Sequence, residues 1–211
     1  MTATKGERTR ERIIEAAAPL FNQRGFVGVS MADLMAATGL EKGGIYRHFE
    51  SKDDLALAAF DYSLTLHRAK IRGQVECHTG AVNRLTFLAQ AMAGVAGTPA
   101  VPGGCPLLNT AVETDDADTE SYVALRKRTR AGMRNLIRYV QGIIEAGVES
   151  GELKAEVDAS TEAAMIVATM EGAMMLSRLY DDRSYAQNAA TRVAVHAAQL
   201  ARRTSPSKKQ K

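Results

Sequence analysis

The stretch that most constrains this chain is Ser30 to Phe49, SMADLMAATGLEKGGIYRHF. Ser30 carries the hydroxyl of a helix N-cap, Asp33 follows three residues on as in a capping box, and Leu34 is the first core position. Gly39 ends that helix, because glycine takes the left-handed conformation of a tight turn without steric cost. Leu40 is the apolar residue of the turn, and a second short helix is expected over about 41–47. Two short helices joined by a glycine-containing turn of about three or four residues make a helix-turn-helix, which lays its second helix in the major groove of DNA.

The composition of that second helix is unusual for a purely structural element. Gly43 and Gly44 are adjacent, and each costs roughly 1 kcal/mol of helix stability relative to Ala. A helix that presses its backbone against another surface has a use for both, since nothing projects there. Lys42, Tyr46, Arg47 and His48 beside them can donate hydrogen bonds to phosphate oxygens. The alternative reading of these residues is a glycine-rich loop between two ordinary helices.

From about residue 9 to residue 55 the chain resembles the N-terminal DNA-binding domain of the TetR/AcrR family of transcriptional regulators. The resemblance rests on Thr9, Ile13, Ala16-Ala17, Leu20-Phe21, Gly25-Phe26, Val29-Ser30-Met31, Leu34, Ala37, Gly39-Leu40, Gly44, Ile45-Tyr46, His48-Phe49, Ser51-Lys52-Asp53 and Leu55. It is dense and ungapped but covers under a quarter of the chain. A later string, GGCPLLNTAVETDD, also resembles a block found in many members of the family.

Bulk charge adds no support for DNA binding. The net charge is +3, but across residues 1–60 eight Lys and Arg are matched by eight Asp and Glu. The excess is smaller than the contribution of Arg202, Arg203, Lys208, Lys209 and Lys211 at the end of the chain. Placement of a few cations, not net charge, has to carry any DNA contact, and a moderate salt dependence follows.

The rest of the chain reads as helices. Few aromatics, no Trp and no period-two run of β-branched residues argue against a sheet. Residues 1–8 read as a charged arm, and Ile13, Ile14, Ala17, Leu20 and Phe21 mark a first helix over 9–24 whose apolar face continues past Pro19. Ser51 caps a long helix over 52–74, with Asp53 and Asp54 in its first turn. Lys52 lies against the helix dipole there, which a phosphate contact would explain. Further helices are expected over 80–96, from Pro106 to near Asp115, over 118–150, from a cap at Asp158 or Ser160 to 180, and over 184–203. The last two have small residues on their apolar faces: Ala163, Ala164, Val167, Ala168, Met170, Gly172, Ala173 and Leu176 on one, and Ala189, Val193, Ala197 and Leu200 on the other. The resemblance implies that these two helices form a four-helix interface with a second copy; an ordinary monomer core is the alternative.

No stretch of about 18 uncharged apolar residues exists. The polar N-terminus is no secretory signal, and two cysteines make no disulfide framework, so the cytoplasm is the expected compartment. Enzyme motifs are absent. Cys77 and His78 are adjacent and unsuited to one ion, and Asp115, Asp116 and Asp118 lack the glycine and glutamate of a calcium loop. Neither a cofactor nor a metal is expected. Cys105 lies between Gly104 and Pro106 at a helix N-terminus, where a thiol pKa falls. Some relatives sense oxidants through a cysteine in this region, while the alternative is a small buried apolar residue.

The expected molecule is all-α, with an N-terminal three-helix helix-turn-helix domain over 1–50. A larger C-terminal helical domain over 51–203 binds effector and dimerises, and a disordered basic tail covers 204–211. It is a ligand-responsive regulator of transcription, a repressor released from a palindromic operator by a small molecule. Ser30, Tyr46, His48 and Lys52 are assigned to phosphates, and Lys42, Gly43 and Gly44 to the bases. Tyr62, Leu66, Phe87, Met92, Cys105, Leu108, Tyr122 and Met174 are candidate walls of an apolar effector pocket, chosen on apolarity and order. A regulator without an effector, and a thiol sensor acting through Cys105, are the alternatives.

Overall fold

The computed structural model describes residues 4–115 and 119–202. The expectation of a disordered 204–211 tail, and the proposed helix start at residue 118, fall outside them. Among the described residues the chain forms nine helices and no strand, with a single isolated bridge between Leu153 and Ala201. Among the described residues no helix is long and apolar enough to cross a membrane.

The helices are α1 (Lys5–Arg24), α2 (Met31–Thr38), α3 (Lys42–Tyr46), α4 (Lys52–Val75), α5 (Ala81–Val95), α6 (Pro106–Glu113), α7 (Glu120–Glu149), α8 (Ala159–Leu179) and α9 (Ser184–Leu200). Helix α1 begins four residues before the expected start. Thr4 is its N-cap: the hydroxyl accepts from the Glu7 amide, and the Glu7 carboxylate accepts from the Thr4 amide. Residues 5–8 of the stretch read as an arm are therefore the first turn of the helix. Pro19 lies inside α1 without ending it.

Packing divides the chain into two compact units, one of Met1–Arg72 with Gly94–Asn135 and one of Gly73–Ala93 with Leu136–Lys211. In the first, Ile13, Ala17, Phe21, Val29, Leu34, Ile45 and Phe49 form the buried centre of α1, α2 and α3. Of the residues that the spacing of the first helix picks out, Ile13, Ile14, Ala17 and Phe21 are buried and Leu20 is half-buried. Arg10 caps the cluster, with its guanidinium 4.7 Å from the centre of the Phe49 ring. The same unit also holds nearly all of α4, all of α6 and the first half of α7, so its packing extends past the functional boundary expected at residue 50.

In the second unit α8 and α9 pair along their length. Buried Ala163, Val167, Met170 and Ala173 on α8 share its core with Ala186, Ala190, Val193 and Ala197 on α9. The Glu162 carboxylate lies 2.6 Å from His196 Nε2, and the Ala186 amide donates to Ser177 Oγ at 3.0 Å. Most of the small residues expected at an intermolecular face are thus consumed inside the protomer. The outward face of α8 keeps Ala168 and Gly172 from the expected set and adds larger apolar residues. Met165, Ala168, Gly172, Met175 and Leu179 recur at steps of three and four, with Met165 55%, Met175 48% and Leu179 68% exposed.

His67 on α4 is a buried polar group, 3% exposed, whose Nε2 has no hydrogen-bond partner. Burial, then the positive charges of Arg68 and Lys70, lower its pKa from 6.5 to about 4. A depressed folded-state pKa contributes stability that is complete above the unfolded value and is lost as pH falls toward the folded one. Between pH 7 and pH 4.5, at one protomer concentration, the wild type should lose on the order of 2–3 kcal/mol more than His67→Gln. Urea titrations of both proteins at the two pH values check this; equal losses would show that His67 does not control the acid limb.

Candidate nucleic-acid interface

The helix-turn-helix is built from local rules. The Ser30 hydroxyl accepts from the Asp33 amide at 3.2 Å, and Asp33 Oδ2 accepts from the Ser30 amide at 2.9 Å and from its hydroxyl at 2.6 Å. With Arg24 also 2.7 Å away, these bonds hold the Asp33 carboxyl down to about 2, the Ser30 hydroxyl being the largest cause. Gly39 closes α2 in the left-handed conformation, φ 68°, and its amide donates to the Met35 carbonyl at 2.9 Å. Ser51 Oγ then accepts from the Asp54 amide at 3.0 Å, opening α4 as the sequence predicts.

Helix α3 is short and one-sided. Ile45 is buried in the three-helix core, while Lys42, Gly43, Tyr46 and Arg47 are exposed. A Cβ on Gly43 would meet nothing within 4 Å, so no packing inside the protein demands glycine there. Gly44 differs: it is half-buried, and a Cβ would touch Leu40 Cβ at 3.4 Å. Lys42 Nζ lies 5.8 Å from the centre of the Tyr46 ring, and Tyr46 is 38% exposed. One open surface therefore presents two cations, a phenol and a length of bare backbone.

The other assigned residues surround this surface with their donors partly used. The Ser30 hydroxyl proton is held by Asp33, so a phosphate contact from Ser30 requires Asp33 to yield. Lys52 Nζ donates to the Val29 carbonyl, leaving two N–H groups for other acceptors. It ties the start of α4 to the residue before the α2 cap, which answers its unfavourable position on the helix dipole. His48 is half-buried at the end of the turn after α3.

The eight effector-wall candidates are distributed over both units. Tyr62, Leu66, Cys105, Leu108 and Tyr122 belong to the first, and Phe87, Met92 and Met174 to the second. Met92, Met174 and Cys105 are sealed, Cys105 being 3% exposed. That burial keeps the thiol from oxidants in this conformation and fits a small packing residue. Phe87 carries a stacked His78, with ring centres 3.3 Å apart. Burial first, then the negative charges of Glu113 and Asp53, raise the pKa of the Tyr122 hydroxyl. A groove of about 410 Å³ lined by Thr9, Arg12, Ala37 and Leu40 lies on the head and includes none of the eight. Among the described residues no group of three or more His, Cys, Asp or Glu side chains is placed to hold a metal ion.

Comparison with known proteins matches this architecture in two pieces. Residues 13–59 match the family described as bacterial regulatory proteins, tetR family, and residues 81–193 match the tetracyclin repressor-like C-terminal domain. A TetR transcriptional regulator from Chloroflexus aurantiacus is 42% identical, with a TM-score of 0.89 over 95% of this chain and 99% of its own. The transcriptional repressor ComR of Escherichia coli is 30% identical over 57% of this chain and 60% of its own length. The TetR-family regulator CifR, solved as a cysteine mutant on a 26-base-pair operator duplex, is 20% identical. Its TM-score is 0.78, over 88% of this chain and 94% of that one. The chain belongs to the TetR family and is a DNA-binding regulator of transcription.

Proposed function

We propose that the chain is a homodimeric repressor that leaves a palindromic operator when a small apolar molecule binds. Residues 1–50 act as the reading head and residues 51–203 as the effector-binding and dimerisation part. Lys42, Gly43 and Gly44 face the base edges, Tyr46, His48 and Lys52 contact phosphates, and Ser30 does so once Asp33 gives way. The observation that carries the reading is the open space over Gly43, between exposed Lys42 and Tyr46 on a helix too short to be structural filler. ComR is a repressor by name and CifR was captured on duplex operator DNA, which supports the sign and the target.

The outward apolar stripe on α8 supports a two-fold dimer, and two heads on B-DNA then read half-sites about 34–36 Å apart or a multiple of that. Effector binding among the helices after residue 51 shifts the heads from that spacing. Coupling of about 1–3 kcal/mol corresponds to roughly 5- to 150-fold weaker operator binding. Tyr62, Leu66, Phe87, Leu108 and Tyr122, all half-buried, are the first residues to test as effector contacts. Met92, Met174 and Cys105 can line a pocket only if it opens.

Selection from a random duplex pool at low salt should enrich a palindrome bound by two protomers. A panel of apolar small molecules titrated against that complex should then contain members that release it. Enrichment of no sequence would overturn the operator reading. A palindrome released by none of the panel would favour a regulator without an effector.

A further inference from the structure

The GGCPLLNTAVE stretch lies outside the helix-turn-helix, yet its Asn109 and Glu113 side chains are bonded to the end of α1 and the turn that follows it. Helix α6 presents Asn109 and Glu113, one turn apart, to the end of α1. Glu113 Oε1 accepts from the Phe26 amide at 2.6 Å and the Val27 amide at 3.2 Å. These amides belong to the turn between α1 and α2, and a carboxylate is the strong acceptor for a pair of them. Gly25 gives it access: a Cβ there would stand 2.6 Å from Glu113 Oε1.

A second clasp lies one turn away. Asn109 Nδ2 donates to Asn22 O at 3.0 Å, to Asn22 Oδ1 at 3.1 Å and to Gly103 O at 2.8 Å. Asn22 Nδ2 in turn donates to the carbonyls of Pro102 at 3.0 Å and Gly104 at 3.2 Å. Here too a glycine makes the approach possible, since a Cβ on Gly103 would lie 2.5 Å from Asn22 O. Each side has given up a side chain where the other side's polar group comes in.

We propose that Glu113 is a positioning residue for DNA recognition, fixing the α1–α2 turn and with it the α2 cap, and that the Asn22–Asn109 clasp keeps it in register. The α2 N-cap, Ser30, is three residues beyond Val27, so the turn held by Glu113 sets where α2 begins. Helix α6 is thereby a handle on the reading head, and a change in its position reaches the head through these amides.

The test uses the full-length protein and the duplex that the wild type enriches. Glu113→Ala should bind that duplex about tenfold more weakly, the loss of one charge-assisted contact pair. Glu113→Gln, which keeps the shape and one acceptor, should recover part of the loss and guards against a variant that fails to fold. The sign is diagnostic. Removing a negative charge from a DNA-binding protein strengthens binding on Coulomb grounds alone, whereas the positioning role weakens it. Hydrogen exchange at the Phe26 and Val27 amides supplies a readout without DNA, and should quicken at least tenfold in Glu113→Ala. Binding that is unchanged or tighter in both folded variants, or unchanged exchange at the two amides, would overturn the proposal.

Discussion

Gly43→Glu should weaken operator binding by roughly 100-fold or more in a protein at least as stably folded as the wild type. The two halves of that expectation have separate physical causes. In the free protein a side chain at 43 enters open space, and replacing glycine in a helix gains roughly 0.5–1 kcal/mol. A carboxylate in the first turn of α3 also suits the helix dipole. On DNA the same carboxylate occupies the gap between backbone and base edges and meets phosphate charge, and such built-in repulsion costs several kcal/mol. Few substitutions stabilise a protein while abolishing its activity, so the pair of signs is specific. Gly142 is also exposed with nothing within 4 Å of its would-be Cβ, but lies on α7 in the other unit. Gly142→Glu should therefore leave operator affinity within about twofold. Thermal melts and fluorescence anisotropy on the enriched duplex measure both quantities. A Gly43→Glu protein that binds within about threefold of wild type would mean that α3 does not lie against the bases.

How far the sequence alone reaches depends on the span of the interaction. Ser30, Asp33 and Gly39 write the ends of α2 within ten residues, and the structure reproduces them. Thr4 and Glu7 form the same T-x-x-E pattern, hidden in a stretch whose density of charge points to a solvated arm. On α8 the 3.6-residue period shows that Ala163, Val167 and Met170 share a face, but not whether that face meets α9 or a second molecule. Helix α8 is apolar on two sides, and only burial separates the core set from the outward stripe. The Glu113–Phe26 contact spans 87 residues. No periodicity reports such a contact, and the glycines that allow it read locally as ordinary turn residues. The same holds for Tyr122, whose apolar ring suggested a pocket wall and whose hydroxyl feels the negative charges of Glu113 and Asp53.

Gly172→Glu should convert the protein from dimer to monomer and lower its affinity for a full palindrome by at least about 100-fold, leaving half-site binding unchanged. Gly172 is the middle of the outward stripe that runs from Met165 to Leu179, and beyond its own turn of helix backbone a Cβ there would meet nothing within 4 Å. The protomer accommodates the substitution, and helical propensity favours it. In a two-fold interface every substitution is made twice, so two carboxylates enter one apolar seam with no cation on the stripe to pair them. The affinity loss follows from linkage between heads. Once one head is bound, its twin binds at an effective concentration set by the dimer, an advantage of about 10²–10⁴ that vanishes when the protomers separate. Sedimentation at micromolar protein, circular dichroism for helix content, and binding to full-site and half-site duplexes together decide the matter. A helical Gly172→Glu protein that still sediments as a dimer and holds the palindrome would place the dimer contact elsewhere than on this face of α8. Full-site and half-site affinities that fall together would instead indicate damage transmitted to the head.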